Sequence, residues 1–351
     1  MAFINFKPQD YFQTMQYTGN DANNRTITGV GFQADWSVIK AKDNNVVWNV
    51  FDSVRGDGKR LQFNGTGDGL GSAQGIKSWN SDGFVIGTNG DANSNGQVLQ
   101  TYNWKAGTTS GVTGGSITPH TYSYDASRGF SIMAYAGNGS NGATIPHMLG
   151  EIPDAVIVKK YDGNVKWYMY HASNGSNPHT KYLTPNDTNA SQTQGGWNNT
   201  APTNTVVTVA DGSEVNASGS NYIMYSFKSI KGHSMFSGYI GTGNASISSY
   251  NFCGFKPALV IVKNISASGD WYVFDNQRSA SGGDNEIGYN LRMNKSEAQS
   301  TGSNYGIDFT SNGWKMRNTN GEMNASGNDF VYMAWAENPM IGSGGTVGVA
   351  V

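Results

Sequence analysis

The feature that most constrains this chain is a threefold internal repeat. A short apolar strand ending in lysine occurs as Trp36-Ser37-Val38-Ile39-Lys40, Ala155-Val156-Ile157-Val158-Lys159 and Leu259-Val260-Ile261-Val262-Lys263. Each lysine is followed eight residues later by a tryptophan: Trp48, Trp167 and Trp271. Upstream of each strand lies a Tyr-x-Gly-Asn-like turn, at Tyr17 to Asn20, Tyr135 to Asn138 and Tyr239 to Asn244. A period of roughly 100 residues is that of a small domain, not of a solenoid rung. The spacing therefore predicts three tandem β-sandwich modules, at residues 10–107, 128–230 and 231–338. An N-terminal arm (1–9), a Gly/Ser/Thr-rich linker (108–127), flexible by its composition, and a C-terminal tail (339–351) complete the division.

Strand character follows from short apolar runs bounded by Gly, Asn, Asp and Ser. Trp48-Asn49-Val50-Phe51-Asp52 and Trp271-Tyr272-Val273-Phe274-Asp275 carry apolar side chains on both faces, as strands inside a sandwich do. Ser81-Asp82-Gly83-Phe84 and Ser311-Asn312-Gly313-Trp314 read as hairpin turns before an aromatic strand. Gly is 47 of 351 residues and charged residues are 14%, the composition of many short strands joined by tight turns. The 9 Trp, 18 Tyr and 15 Phe need packed cores, which separates this chain from disordered Gly-rich sequences. No helical periodicity interrupts the pattern, and the fold class is all-β.

The net charge of -2 without a Lys/Arg cluster disfavours nucleic acid as a partner. No apolar run reaches the length of a membrane span, and the first residues lack a signal-peptide pattern, so the expectation is synthesis in a cytoplasm and no membrane insertion. The lone Cys253 excludes an internal disulfide and reads as a small core residue.

Candidate chemistry is sparse. Asp52-Ser53-Val54-Arg55 and Asp275-Asn276-Gln277-Arg278 share an Asp-x-x-Arg corner that reads as a local ion pair, and the second repeat has His171-Ala172-Ser173-Asn174 there. The five histidines, at 120, 147, 171, 179 and 233, show no metal or catalytic spacing. Asp91-Ala92-Asn93-Ser94-Asn95-Gly96 spells the first half of a calcium loop, but Tyr102 stands where the bidentate acid is needed, so a hairpin turn is the reading. The equivalent turns, taken as Asn216 to Gly219 and Asn324 to Gly327, lack the acid. No catalytic residue, cofactor or metal is expected. The loops Gly65 to Ile76, Ser173 to Asn199 and Ser279 to Glu286 have the Asn/Asp/Gly chemistry of a ligand surface, with Trp79 and Trp197 as candidate ligand-binding aromatics that equally suit core packing.

One family resemblance attaches to these residues. The string from Tyr17 to Asn20, Gly31 to Lys40, Trp48 to Gly56, Ser81 to Phe84 and Tyr102 to Gly107 resembles modules in virion proteins of tailed bacteriophages, marine and cyanobacterial phages especially, of the tail-fibre or structural type. The closing Trp335-Ala336-Glu337-Asn338-Pro339 is also similar to the end of such chains. The resemblance covers nearly the whole chain and is most specific in the first repeat, weakest in the second. It implies concanavalin-like, jelly-roll sandwiches of lectin type and a non-enzymatic virion protein made in the host cytoplasm. The implied partners are other virion proteins, further copies of the chain and host cell-surface glycans. A tail-fibre or receptor-binding part leads. A capsid decoration or head-fibre protein is the alternative, favoured by the short chain and the missing coiled-coil shaft. A glycan depolymerase or a secreted bacterial adhesin would follow from other chemistry: two carboxylates in one cleft, or an export signal.

Overall fold

Alternating side chains decide the architecture. In Trp36–Ala41, Trp36 and Val38 point to one side and Ile39 and Ala41 to the other, and all six residues are buried. Ala155–Lys160 and Phe255–Asn264 behave likewise: Ala155 and Ile157, or Leu259 and Ile261, face one core, while Val156 and Val158, or Val260 and Val262, face another. A strand apolar on both faces must lie between two packed layers.

The computed structural model describes residues 4–69, 71–193, 195–278, 286–301 and 305–339. It is all-β, and every paired ladder is antiparallel. Each repeat builds one large sheet around the same strand order. In the first, Phe12–Thr18, Val98–Trp104, Trp36–Ala41, Asn49–Asp52 and Leu61–Gln62 lie side by side. The second runs Thr121–Asp125, Phe130–Ala136, Asn221–Phe227, Ala155–Lys160, Tyr168–His171; the third runs Ser234–Ile240, Asp329–Pro339, Phe255–Asn264, Trp271–Asp275, Tyr289–Arg292, Ser300–Thr301. The outer face of each large sheet is covered by a small one: Arg25–Thr28 with Gly83–Ile86 and Ile76–Asn80, Ala143–Pro146 with Val206–Val209, and Tyr250–Phe252 with Gly313–Met316, Ile307–Thr310 and Glu286–Ile287.

The inner faces of all three large sheets meet in one shared core. Trp36 stacks on Tyr225 of the second repeat at 4.8 Å between ring centroids, Phe63 lies 4.6 Å from Trp167, and Phe12 and Trp104 reach Trp335 of the third repeat at 5.7 and 5.2 Å. Phe227 and Phe236 close the remaining junction at 5.6 Å. The repeats are thus lobes around a common aromatic centre, not beads on a string. The segment 108–127, expected from composition to be a flexible linker, contributes Thr121–Asp125 to the second sheet and rests against Thr144 through the Ser116 and Ile117 amides. Its glycines serve turns and close approaches there. The rest of the expected tail after Pro339, the residues before Ile4, and 279–285 of the Ser279–Glu286 loop lie outside the described residues.

The recurring residues hold this closure. The Trp48 indole donates to Arg292 O of the third repeat, Trp167 to Gln62 O of the first, and Trp271 to Thr184 O of the second, at 2.9, 2.9 and 3.1 Å. One bond per repeat, each to a different neighbour, forms a ring. Two of the three lysines lie in the same seams. Lys159 Nζ donates to Thr66 O and Lys263 Nζ to Thr188 O, each across a repeat boundary, while Lys40 Nζ is held by Ala41 O and Asn44 O. Burial lowers all three ammonium pKa values, to about 7 for Lys40 and about 8 for Lys159 and Lys263.

Candidate functional site: the pocket of the second repeat

Each lobe has a niche where the residue after the ring tryptophan meets the short turn before the last strand. In the first repeat this turn is the helix Gly90–Asn93, capped by Asn89, and Asp91 is neutralised by Arg60 at 2.8 Å. In the third it is Gly321–Asn324, capped by Asn320, and Glu322 accepts the Tyr272 hydroxyl at 2.6 Å. In the second repeat Glu214 takes the corresponding place before Asn216. The described residues give it no basic partner; Ser213 Oγ donates to it at 3.0 Å. Tyr168, the counterpart of Tyr272, instead lies flat against Tyr182, with ring centroids 4.2 Å apart and planes 8° from parallel. Burial and the Tyr182 hydroxyl raise the Tyr168 pKa well above the ordinary phenol value.

The result is an open pocket of about 450 Å³ lined by Tyr168, Tyr182, Asn198, Asn199, Asp211 and Glu214. Asn198 and Asn199 sit at φ 50° and 51°, a left-handed stretch that non-glycine residues rarely adopt outside ligand loops and tight turns. An aromatic pair, amide groups and carboxylates around a concavity of this size suit a ring carrying hydroxyls. A larger cleft of about 620 Å³ at the boundary of the first two repeats is lined by Asp35, His120 and Tyr122. Its carboxylate is already committed, since Asp35 accepts from Ser53 Oγ at 2.7 Å and from the Ala106 amide at 2.8 Å.

The residues singled out in the sequence fall as follows. Trp197 is 1% exposed and its indole donates to Lys181 O, so it is a core residue beneath the pocket and not a ligand platform. Trp79 packs beside Phe84 and the Val30, Phe32 and Ala34 cluster, with its indole nitrogen buried, so it too serves packing. The Asp91–Gly96 segment is a capped helical turn whose oxygens are already engaged: Asn93 Oδ1 accepts from the Asn20 amide and Arg25, and Asp91 Oδ2 pairs with Arg60. The acid thought absent from the other two turns is present, two residues earlier, as Glu214 and Glu322. The position directly after the Tyr-x-Gly glycine also shifts: Thr242, not Asn244, donates its amide to Asn324 as Asn20 does to Asn93. Among the described residues no cluster of three His, Cys, Asp or Glu could hold a metal.

The Asp-x-x-Arg corners form the expected ion pairs, Arg55–Asp52 at 2.6 Å and Arg278–Asp275 at 2.7 Å, both buried. Each aspartate also accepts a tyrosine hydroxyl from the neighbouring repeat: Tyr225 to Asp52 at 2.7 Å and Tyr102 to Asp275 at 2.6 Å. In the second repeat His171 replaces the aspartate, and in register Met333 replaces the tyrosine that would reach it. His171 Nε2 donates to Tyr332 O at 3.2 Å instead, and its Nδ1 accepts from the Ser173 amide. His147 is held similarly between Thr203 O and the Leu149 amide. His120 meets the Tyr161 hydroxyl at 3.3 Å, and burial pushes the Cys253 thiol up to about 12. Sequence reasoning missed Tyr168, Tyr182 and Glu214 because the signal is a difference between repeats, not a motif.

No curated protein and no solved structure matches the chain. A family described as a domain of unknown function, DUF7483, matches residues 7–339. With nearly the entire described chain inside that match, the protein belongs to the DUF7483 family.

Proposed function

We propose that this protein is a non-enzymatic structural component of a tailed-bacteriophage virion, a tail-fibre or receptor-binding part that contacts host surface glycans. The observation that carries the glycan reading is the second-repeat pocket, where Tyr168 and Tyr182 stack beside Asn198, Asn199 and an unneutralised Glu214. Aromatic faces pack on the apolar side of a sugar ring while amides and carboxylates bond its hydroxyls. The resemblance of the repeat string to phage virion modules supports the setting. Asp52, Asp275, Lys159 and Lys263, which recur with the repeat, are consumed by contacts between lobes, which suits a protein that binds and builds.

The test is adsorption of the purified protein to a panel of bacterial surface polysaccharides, with Tyr182→Ala as the pocket variant. Adsorption reduced about tenfold in a variant that melts normally is expected, in line with one lost aromatic contact. No adsorption by the parent protein would sink the receptor reading. Release of oligosaccharide, lost in Glu214→Gln, would instead make the protein a depolymerase, since Asp211 and Glu214 supply two carboxylates to one pocket. A second reading, capsid decoration, is favoured by the exposed apolar residues Ile240, Ile247, Tyr250 and Phe252 on the third repeat. Cryo-electron microscopy of the virion separates the two by showing density on the tail or on capsid faces. Light scattering on the isolated protein tests assembly with further copies.

A further inference from the structure

The niche beside the turn before the last strand differs between repeats, and the third rebuilds the arrangement of the second. In the first, Asn49 follows the ring tryptophan and its side chain is spent locally: Nδ2 donates to Asp91 O and Oδ1 accepts from Arg60, both at 3.2 Å. With Asp91 also paired to Arg60, that niche offers an ion pair where the others offer a ring. In the third, Tyr272 follows the ring tryptophan as Tyr168 does, and Glu322 precedes Asn324 as Glu214 precedes Asn216. Tyr272 is 2% exposed, and the half-buried Tyr305 covers it, with ring centroids 6.0 Å apart and planes 29° from parallel. Tyr182 covers Tyr168 in the same sense. The two covering tyrosines come from unrelated positions, one in the strand Lys181–Tyr182 and one just ahead of the strand Ile307–Thr310. The same pair of rings beside a glutamate is therefore assembled twice by different routes.

The concavity beside this second pair holds about 410 Å³ and is lined by Asp270, Tyr272, Arg292, Tyr305, Asn320 and Glu322. Its basic groups are already paired: Arg292 with Asp270 and Glu297 at 3.4 and 2.6 Å, and Lys295 with Asp270 at 2.9 Å. Glu322 is engaged on one oxygen. The Tyr272 hydroxyl and the Asp270 amide both donate to its Oε2, at 2.6 and 3.3 Å, and Oε1 has no partner among the described residues. Asn320 Oδ1 accepts from the Glu322 amide at 2.8 Å, and its Nδ2 has no partner among the described residues either. An aromatic ring, a carboxylate oxygen that accepts and an amide that donates are the groups that hold a ring carrying neighbouring hydroxyls. We propose that the third repeat carries a second saccharide site, centred on Tyr305 and Glu322, so that one chain grips a sugar polymer at two points. This rests on the glycan reading of the second-repeat pocket and makes the protein bivalent, because binding at one site raises the effective concentration at the other.

Saturation-transfer NMR of the full chain with the methyl glycosides of glucose, galactose, mannose and N-acetylglucosamine tests this. For a glycoside that binds, signal reduced about twofold in Tyr182→Ala, about twofold in Tyr305→Ala and nearly abolished in the double variant is expected, since separate sites contribute independently. Signal already abolished by Tyr182→Ala, or unchanged in Tyr305→Ala, overturns the second site and leaves the second-repeat pocket standing. No signal from the parent chain with any of the four glycosides overturns both. If Tyr305→Ala fails to fold, Glu322→Gln takes its place: it keeps an acceptor toward the Tyr272 hydroxyl and removes the charge, and the signal that remains in Tyr182→Ala should fall when it is added. A remaining signal that Glu322→Gln leaves unchanged overturns the proposal.

Discussion

Asp52 shows how a residue that looks like catalytic chemistry in the sequence is spent on structure. Its carboxylate bonds Arg55 at 2.6 Å and the Tyr225 hydroxyl at 2.7 Å in a site closed to solvent. Asp52→Asn strands a buried guanidinium, whose Nη1 already lacks a partner, and a loss of about 3–5 kcal/mol in urea unfolding is expected. Tyr225→Phe removes one charge-assisted bond and should cost about 1.5–3 kcal/mol. The two losses should sum to more than the double variant shows, because both substitutions break the same contact. A fully additive pair would mean that Tyr225 and Asp52 do not support each other. His171, at the equivalent corner, makes stability depend on pH. Its Nδ1 accepts from the Ser173 amide, so protonation would set two N–H groups against each other, and burial holds its pKa at about 4. Between 6.5 and 4 the unfolded chain binds a proton that the folded chain refuses, and stability falls as the pH drops through that window. The slope is about 1.4 kcal/mol per pH unit, flattening below 4, with His233, at about 3, adding a similar limb. His171→Asn keeps a donor toward Tyr332 O and should make the acid limb of thermal melts between pH 6.5 and 4 shallower; an unchanged slope would place the proton uptake elsewhere.

At the scale of elements, the Tyr-x-Gly-Asn turn has one physical reason in all three lobes. The tyrosine hydroxyls of Tyr17, Tyr135 and Tyr239 donate to Ala92 O, Val215 O and Met323 O, drawing the first strand onto the turn before the last. A Cβ at Gly19, Gly137 or Gly241 would lie 2.1, 2.4 or 2.1 Å from a carbonyl oxygen of that turn. Gly137→Ala is therefore expected to destabilise by about 1–3 kcal/mol through overpacking against Ala217 O, measured by denaturant unfolding at constant m-value. The strands themselves were legible in the sequence, because period-two alternation and Asn-Gly or Asp-Gly turns act within a few residues. Trp36, Val38 and Ile39 announce that both faces are buried. Nothing local says that the face carrying Trp36 meets Tyr225, since that partner depends on how whole sheets dock. Thr121–Asp125 escapes for a related reason: its Thr and two Tyr suit a strand, but they follow a Gly/Ser/Thr-rich stretch, and only pairing with Phe130–Ala136 shows that this segment belongs to the sheet. The pocket stayed hidden because Tyr168 and Tyr182 are separated by a loop and become neighbours only through the isolated bridge between Met169 and Leu183.

At the scale of the molecule, the repeat is completed by its neighbours. The loops after the ring tryptophans hand on in order: the Gly69 amide bonds Tyr161 O, the Ser191 amide bonds Ile265 O, and the Gln299 amide bonds Lys42 O, which returns the circle to the first lobe. Every lobe thus lends its inner face, its indole bond and one loop to another. A chain cut to residues 10–107 would leave Trp36, Trp48 and Trp104, all 1–3% exposed in the full protein, facing water on one side. Burying a side chain of that size contributes about 1.5–3 kcal/mol, and three such losses equal much of the stability of a small domain. The cut chain is therefore expected to show no cooperative melt and to bind a hydrophobic dye. The full chain should unfold in a single transition, with tryptophan fluorescence and far-ultraviolet circular dichroism coinciding. Three separable transitions, or a stably folded single repeat, would show that the shared core does not couple the lobes. Coincident transitions would mean that the unit selected for folding is the ring of three, so a change in one lobe's centre, such as Trp167→Ala, should lower the melting point of all three lobes together.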